Sequence, residues 1–320
     1  MNISRSGTVY LLIGLSISII SCSVKKKQPA TKPLRFVFIT TCVDEDFFRP
    51  VKKGMNDAAA LVGADCSFIG TRGVNVKEQV KMMRKAIEQG VDGIALNIIS
   101  PTAFDSVVEE AMNKGIPVVA FNSDDNKTPN ARLSCVCQNL FHAGELFGKK
   151  IIGDIPENSL VLVTLHSEGI SALEDRLHGI QDILKSKNIT CKVIITGTKA
   201  DSASRVITEC LKANPKIRAV LCTGLADTEG AGMAIEKSFS DKNIIAAGFD
   251  LSPLVIHYVR DGQLIFTVDQ QPYMQGFYPV IQLAQYVRYG ILPCNNEIGA
   301  SFVTKDNVDK VEKLIAAGYR

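Results

Sequence analysis

No tryptophan occurs in the 320 residues, histidine occurs four times, and neither sign of charge prevails, with 36 Lys and Arg against 33 Asp and Glu. Near-neutrality excludes a polybasic chain built for nucleic acid, where clustered cations displace counterions from phosphates. His142, His166, His178 and His257 are scattered, so no Cys/His cluster has zinc spacing, and neither a metal nor a cofactor is expected. Signatures of catalysis are missing too. The HSE at 166–168 is no nucleophile elbow, and neither TGTKAD nor CTGLADTEG has the glycine spacing of a phosphate loop, so no enzymatic activity is expected. What is present is a globular composition, 46% apolar and 22% charged, which excludes disorder and low-complexity polymers. The length suits two domains, each able to bury a core.

The N-terminus reads as an export signal. Within residues 1–21 Arg5 is the single charge, and the apolar stretch VYLLIGLSISII runs into Ser21 and Cys22. It is short for a membrane-spanning helix and suits a cleaved leader. The tetrad Ile19, Ile20, Ser21, Cys22 resembles the bacterial lipobox, which implies lipidation of Cys22; an ordinary cleavage site beside an unmodified Cys is the alternative. Residues 22–33 carry three consecutive Lys and two Pro and read as a tether. Lys25, Lys26 and Lys27 are either simply solvated or drawn to anionic lipid head groups. The other cysteines lie mostly inside apolar, strand-like runs and are expected as buried thiols. Cys135 and Cys137 lack CxxC spacing and are expected on opposite faces of one strand.

From Leu34 onward short β-branched runs alternate with segments of helical period, as in RFVFIT, RPVKKGMNDAAALVG, DCSFIG and KEQVKMMRKAIEQG. Strands apolar on both faces need helices on both sides. The expected fold is α/β: two doubly wound parallel-sheet lobes joined by a multi-strand hinge. The first lobe is expected to hold residues 34–136 plus 270–293, the second 137–269 plus 294–320. The chain should cross between them near 136–138, 268–270 and 294–298. Ligands of open α/β sheets bind at the carboxyl ends of the strands, which places a site between the lobes.

Several motifs occur in an order that resembles the ribose/galactose-type sugar-binding proteins of ABC transporters, the type 1 periplasmic binding proteins. They are DEDFF (Asp44 to Phe48), EQGVDGIALN, GIPVVAFNSD, SALEDRLHGI, AAGFDLSP and FTVDQQPYMQG. The likeness extends from about Leu34 to Lys313. It implies a monomeric, lipid-anchored receptor outside the cytoplasm that closes on a sugar or polyol and serves an ABC permease and its ATPase. A receptor reporting to a membrane sensor kinase or chemoreceptor is the alternative. A transcription regulator of the same fold would need a helix-turn-helix where this chain has its leader.

A polyol's hydroxyls are donors and acceptors at once, so its site needs carboxylates, amides and an Arg, with an aromatic ring against C–H surface. Asn122, Arg176, Asp250 and Gln270 form that set, each closing an apolar strand or opening a helix. Other roles stay open for them: a turn for Asn122, a surface partner of Glu174 or Asp175 for Arg176, a helix cap for Asp250, a hinge position for Gln270. The resemblance implies that Phe47 or Phe48 stacks on the ligand, the other serving the core. The sequence also departs from the ribose-type pattern. Where Asp-Arg is usual this chain has Asn122 and Ser123 followed by Asp124 and Asp125, so one charged ligand clamp is missing or replaced, and Asp124 is counted among the candidate ligand residues. In TGLADTEG the usual Asn-Asp pair is missing, so polarity there falls to Asp227 or Glu229.

Overall fold

The computed structural model describes residues 32–124, 130–241 and 243–320. The leader, Cys22 and the tether up to residue 31 lie outside the described residues. The first apolar run forms β1 (Leu34–Thr40), and the amphipathic segment behind it forms α1 (Phe48–Val62), ended by Gly63 at φ 65°, where a side chain would be strained. The alternation continues through β2 (Ala64–Gly70), α2 (Val76–Glu88), β3 (Gly93–Leu96), α3 (Asp105–Asn113), β4 (Val118–Asn122) and β5 (Ser134–Cys137). A second round follows: α4 (Leu140–Ile151), β6 (Leu160–Leu165), α5 (Ser171–Leu184), β7 (Thr190–Ile195), α6 (Ala200–Ala213), β8 (Ile217–Cys222), α7 (Leu225–Ser238), β9 (Ile245–Phe249), α8 (Pro253–Asp261) and β10 (Phe266–Asp269). The chain finishes with α9 (Pro272–Tyr289), β11 (Asn296–Glu297), β12 (Ser301–Val303) and α10 (Val308–Ala316).

These strands make two sheets of one design, ordered β2-β1-β3-β4-β5-β11 and β7-β6-β8-β9-β10-β12. All neighbours run parallel except β12, which is antiparallel to β10. The exception follows from connectivity. β10 ends where the chain leaves for the other lobe, and β12 begins where it returns, so the two run in opposite directions. Among the described residues the chain passes between the sheets at 138–139, 270–271 and 298–300. Asn296 and Glu297 thus belong to the first sheet through their pairing with Val136 and Cys137.

Helices cover both faces of each sheet, because the central strands are buried on both sides. In the first lobe Met83, Ile87, Val107 and Val108 of α2 and α3 pack on one face, and Val51, Met55, Val280 and Leu283 of α1 and α9 on the other. In the second lobe α4 and α5 bring Phe147, Leu177 and Ile180 to one face, while α7 and α8 bring Ile235, Val255 and Ile256 to the other. Both lobes contain helix pairs in backbone contact through glycine. A Cβ on Gly276 would stand 1.9 Å from the Val51 carbonyl oxygen, and one on Gly179 would stand 2.1 Å from that of Phe141.

The cysteines depart from expectation in two ways. All eight described thiols are free, but only Cys42, Cys135, Cys137 and Cys222 are buried, while Cys294 is exposed. Cys135 and Cys137 share one face of β5, because the side-chain period along a strand is two; both join the core under α2 and α3.

Candidate functional site

A cleft of about 410 Å³ is lined by both lobes at the carboxyl ends of their strands. Its walls fall where the strand order reverses. Thr41 and Asn97 follow β1 and β3 in one sheet, His166 and Gly224 follow β6 and β8 in the other, and Asn122, Asp250 and Gln270 end or follow β4, β9 and β10. At such reversals two neighbouring chain segments leave in opposite directions and a crevice remains between them. The placement therefore comes from topology before any side chain is considered.

Asn122 and Asp250 reach the cleft by the same backbone device. Both have left-handed φ, 64° and 73°, a region that Asn and Asp enter more readily than other residues with a side chain. A polar chain joins them across the hinge. Asn122 Nδ2 donates to Gln275 Oε1 at 3.0 Å, Gln275 Nε2 donates to the Gln270 carbonyl at 2.9 Å, and Gln270 Nε2 donates to Asp250 Oδ1 at 2.5 Å. Asp250 is not a helix cap, for Ser252 holds that position and its hydroxyl accepts from Val255 N at 3.1 Å.

Arg176 is 2% exposed and has no contact with the surface expected for a partner of Glu174. Its Nη1 donates to the Thr223 carbonyl at 2.8 Å and its Nη2 to Gln138 Oε1 at 3.1 Å, with Cζ lying 4.2 Å from the centre of the Phe249 ring. Burial works against the guanidinium charge, and Asp250 and Asp227 support it. Among the described residues Arg176 Nε is buried with no hydrogen-bond partner, as is Asn97 Oδ1 on the opposite wall. His166 completes this side. Burial and the neighbouring Arg176 bring its pKa down to about 4, so the ring is neutral at physiological pH.

The first lobe supplies a different surface. Phe47 is half-buried on the cleft wall, with its ring edge-on to Phe48 at 5.1 Å. Phe48 also borders the cleft but is 3% exposed and packs with Phe68 in the core, so Phe47 offers the available ring. Glu45 hydrogen-bonds with Cys42; burial, helped by the negative charge of Asp250, pushes its carboxyl up to about 7. Asp44 and Asp46 sit at the mouth and pair with Arg72 and Arg49.

Six of the residues expected in the site thus line one cleft: Phe47, Phe48, Asn122, Arg176, Asp250 and Gln270. Asp124 does not. It is 3% exposed and grips Arg132, whose Nε and Nη2 both donate to its carboxylate. Asp124, Cys135 and Cys137 bring ligand-type atoms within 4.8 Å of one another. Arg132 already supplies the cation there, and Cys137 is held protonated by its hydrogen bond with Cys135 and by burial. Asp227 is structural, accepting from Thr164 Oγ1, Thr223 N and Gly224 N at 2.7, 2.9 and 3.1 Å, whereas Glu229 borders the cleft. Sequence reasoning missed Asn97 and Glu45 as wall residues. Asn97 closes the apolar run GIAL just as Asn122 closes VVAF, so the same signal was available for it.

Residues 36–290 match the periplasmic binding protein domain. The chain belongs to that family. The xylose/arabinose-binding protein XylF of Sulfolobus acidocaldarius is 32% identical over 300 residues, covering 89% of this periplasmic binding protein and 74% of that one. The ribose import binding protein RbsB of Bacillus subtilis is 25% identical over 84% of this chain and 89% of its own. Among solved structures, a carbohydrate transporter from Acidothermus cellulolyticus in complex with myo-inositol superposes with a TM-score of 0.80 at 28% identity, over 90% of this chain and 100% of that chain. GanP, a glucose-galactose binding protein from Geobacillus stearothermophilus, gives a TM-score of 0.78 at 26% identity, over 87% and 99%. The relatives named are binding or transport proteins.

Proposed function

We propose that this protein is the extracytoplasmic, lipid-anchored solute-binding component of an ABC importer, and that it takes a sugar or sugar-like polyol into the cleft between its lobes. The observation that carries the reading is the pair of buried, unpartnered groups on facing walls, the Arg176 Nε donor and the Asn97 Oδ1 acceptor. A hydroxyl-rich ligand gives and accepts hydrogen bonds at once, and satisfying such groups removes a penalty of ~1–3 kcal/mol each. Asp250, Asn122 and Gln270 supply further hydroxyl partners, and Phe47 supplies a ring for the C–H face of the sugar. The sugar specificities in the names of the relatives agree with this chemistry.

Closure is the mechanism that follows. A ligand held by groups of both lobes binds the closed form more tightly than the open one and shifts the population by that difference. The three crossings at 138–139, 270–271 and 298–300 act as the hinge. The permease and its ATPase then recognise the surfaces that closure brings together. The Cys22 lipid keeps the molecule at the membrane, with the tether as its leash.

Thermal denaturation against pentoses, hexoses, myo-inositol, amino acids and nucleosides tests the proposal. A ligand at a hundredfold excess over its Kd adds ~2.7 kcal/mol to the native state, which raises Tm by ~5–10 °C for lobes of this size. A rise with at least one sugar or polyol, and none with amino acids, is expected. A response confined to another solute class would overturn the reading.

A further inference from the structure

We propose that the pole of the first lobe opposite the cleft is a membrane-resting face, seated on the lipid bilayer surface. The four most exposed large apolar side chains among the described residues are Leu292 at 75%, Leu61 and Tyr289 at 71%, and Ile291 at 51%. All four belong to one end of this lobe. Leu61 lies in the last turn of α1, Tyr289 ends α9, and Ile291 and Leu292 follow at once. Arg288 Nη2 donates to the Val62 carbonyl at 2.6 Å and ties the two helix ends together.

The folded chain also begins at this pole. Leu34, the first residue of β1, pairs in register with Ala64, and Ala64 follows α1 after a single glycine. The inference rests on the lipidated Cys22 of the proposed function. Residues 23–33 separate that Cys from β1, and eleven residues span at most ~40 Å. The pole is therefore held within that reach of the bilayer, closer than any other part of the lobe is required to be.

The chemistry suits a lipid surface. A Tyr ring carries an apolar body and a polar tip, the combination found at headgroup depth, and aliphatic side chains enter the acyl boundary beside it. Arg288 at the pole adds a cation that favours anionic head groups. A partner that reads the ligand state is poorly served here. α1 and α9 pack against one another within the same lobe, so closure moves the pole as a rigid part and leaves its surface unchanged. Contact with lipid also leaves the cleft free, because the cleft lies at the other ends of the same strands.

The chain contains no Trp, so one introduced indole is an unambiguous reporter. The test compares Leu292→Trp with Val193→Trp, an exposed position on β7 of the second lobe. Each full-length protein is expressed with its lipid and placed in vesicles of phosphatidylethanolamine and phosphatidylglycerol that contain bromo-acyl lipid. Side chains of an interfacial face sit ~5–10 Å deep, so Leu292→Trp emission should fall ~2-fold while Val193→Trp stays nearly unchanged. Adding Ile291→Glu to Leu292→Trp should restore the emission. Equal quenching at both positions in co-floating protein would overturn the inference. So would a blue shift of the Leu292→Trp indole that ignores bromolipid and grows with protein concentration, which would assign the face to a second copy of the chain. Failure of the anchor reads differently, as protein that does not float with vesicles. In that case an N-terminal His-tag on nickel-lipid vesicles replaces the lipid, and the same comparison of quenching decides.

Discussion

The two lobes share a strand order but meet the cleft with opposite strategies. The second lobe presents a finished floor in which Arg176, Asp250 and Asp227 are buried and their polar atoms are largely engaged by Thr223, Gln138, Gln270 and Thr164. The first presents a lip of consecutive acidic residues and an aromatic ring on the loop after β1, with Asp44 and Asp46 exposed. A group fixed in advance loses little freedom when a ligand arrives, whereas a loop that must order itself pays part of the interaction in entropy. Floor residues should therefore set affinity, and lip residues should tune selectivity and pH response.

The largest contrast expected lies between neighbours on the lip. Phe48→Ala should cost ~3–5 kcal/mol of stability, because its ring belongs to the core, while Phe47→Ala should cost much less stability and act mainly on ligand affinity. Denaturant melts of both variants settle this; equal destabilisation would erase the division of labour between the rings. Next comes Arg176→Ala, which should lose at least ~2 kcal/mol of ligand affinity by leaving buried acceptors unpaired, whereas Arg72→Ala, at an exposed ion pair of the lip, should change it by less than ~1 kcal/mol. Calorimetry with the best ligand from the thermal screen compares the two. A smaller effect, matched between lobes, is expected from Gly276→Ala and Gly179→Ala. Each forces a methyl group into the backbone of a neighbouring helix and should destabilise by ~1–3 kcal/mol, and the double variant should show nearly additive losses because the sites are far apart.

The smallest expected effect concerns pH. Glu45 titrates near 4.5 when unfolded and at about 7 when folded. The native state therefore holds an extra proton between those values, so the contribution of this group is favourable at pH 4 and declines as pH rises to 7. Glu45→Gln should then raise Tm at pH 8 and leave it nearly unchanged at pH 4. A variant that melts at the wild-type temperature at both values would show that the loop relaxes enough to hydrate the carboxylate.

The alternation of strands and helices was legible because buried parallel strands leave unbroken apolar runs, and the amphipathic helices between them have a clear period. The antiparallel β12 was not, since three residues at the edge of a sheet carry no periodic signal. In the site, a polar residue closing an apolar strand was a dependable cue for Asn122 and Asp250. Asp124 entered through the family pattern and stands away from the cleft wall, and its partner Arg132 lies beyond a turn-rich segment that gives no local sign of the pairing. Cys135 and Cys137 were misjudged for a plainer reason, a wrong count of the strand period. Arg176 carries a further lesson. Beside Glu174 and Asp175 it looks like a surface charge, and only the helix phase, set by packing on α4, turns it inward.

The left-handed backbone at Asn122 and Asp250 also restricts how this receptor can change its diet. Only Asn, Asp and Gly adopt that conformation with little strain, so drift at these two positions, one in each lobe, is confined to short amides, short carboxylates or the loss of the side chain altogether. New preferences must therefore arise around the mouth, at positions such as Glu45 and Arg72, where the main chain tolerates almost any replacement. Descendants of this gene should differ first in their lips and last in their floors.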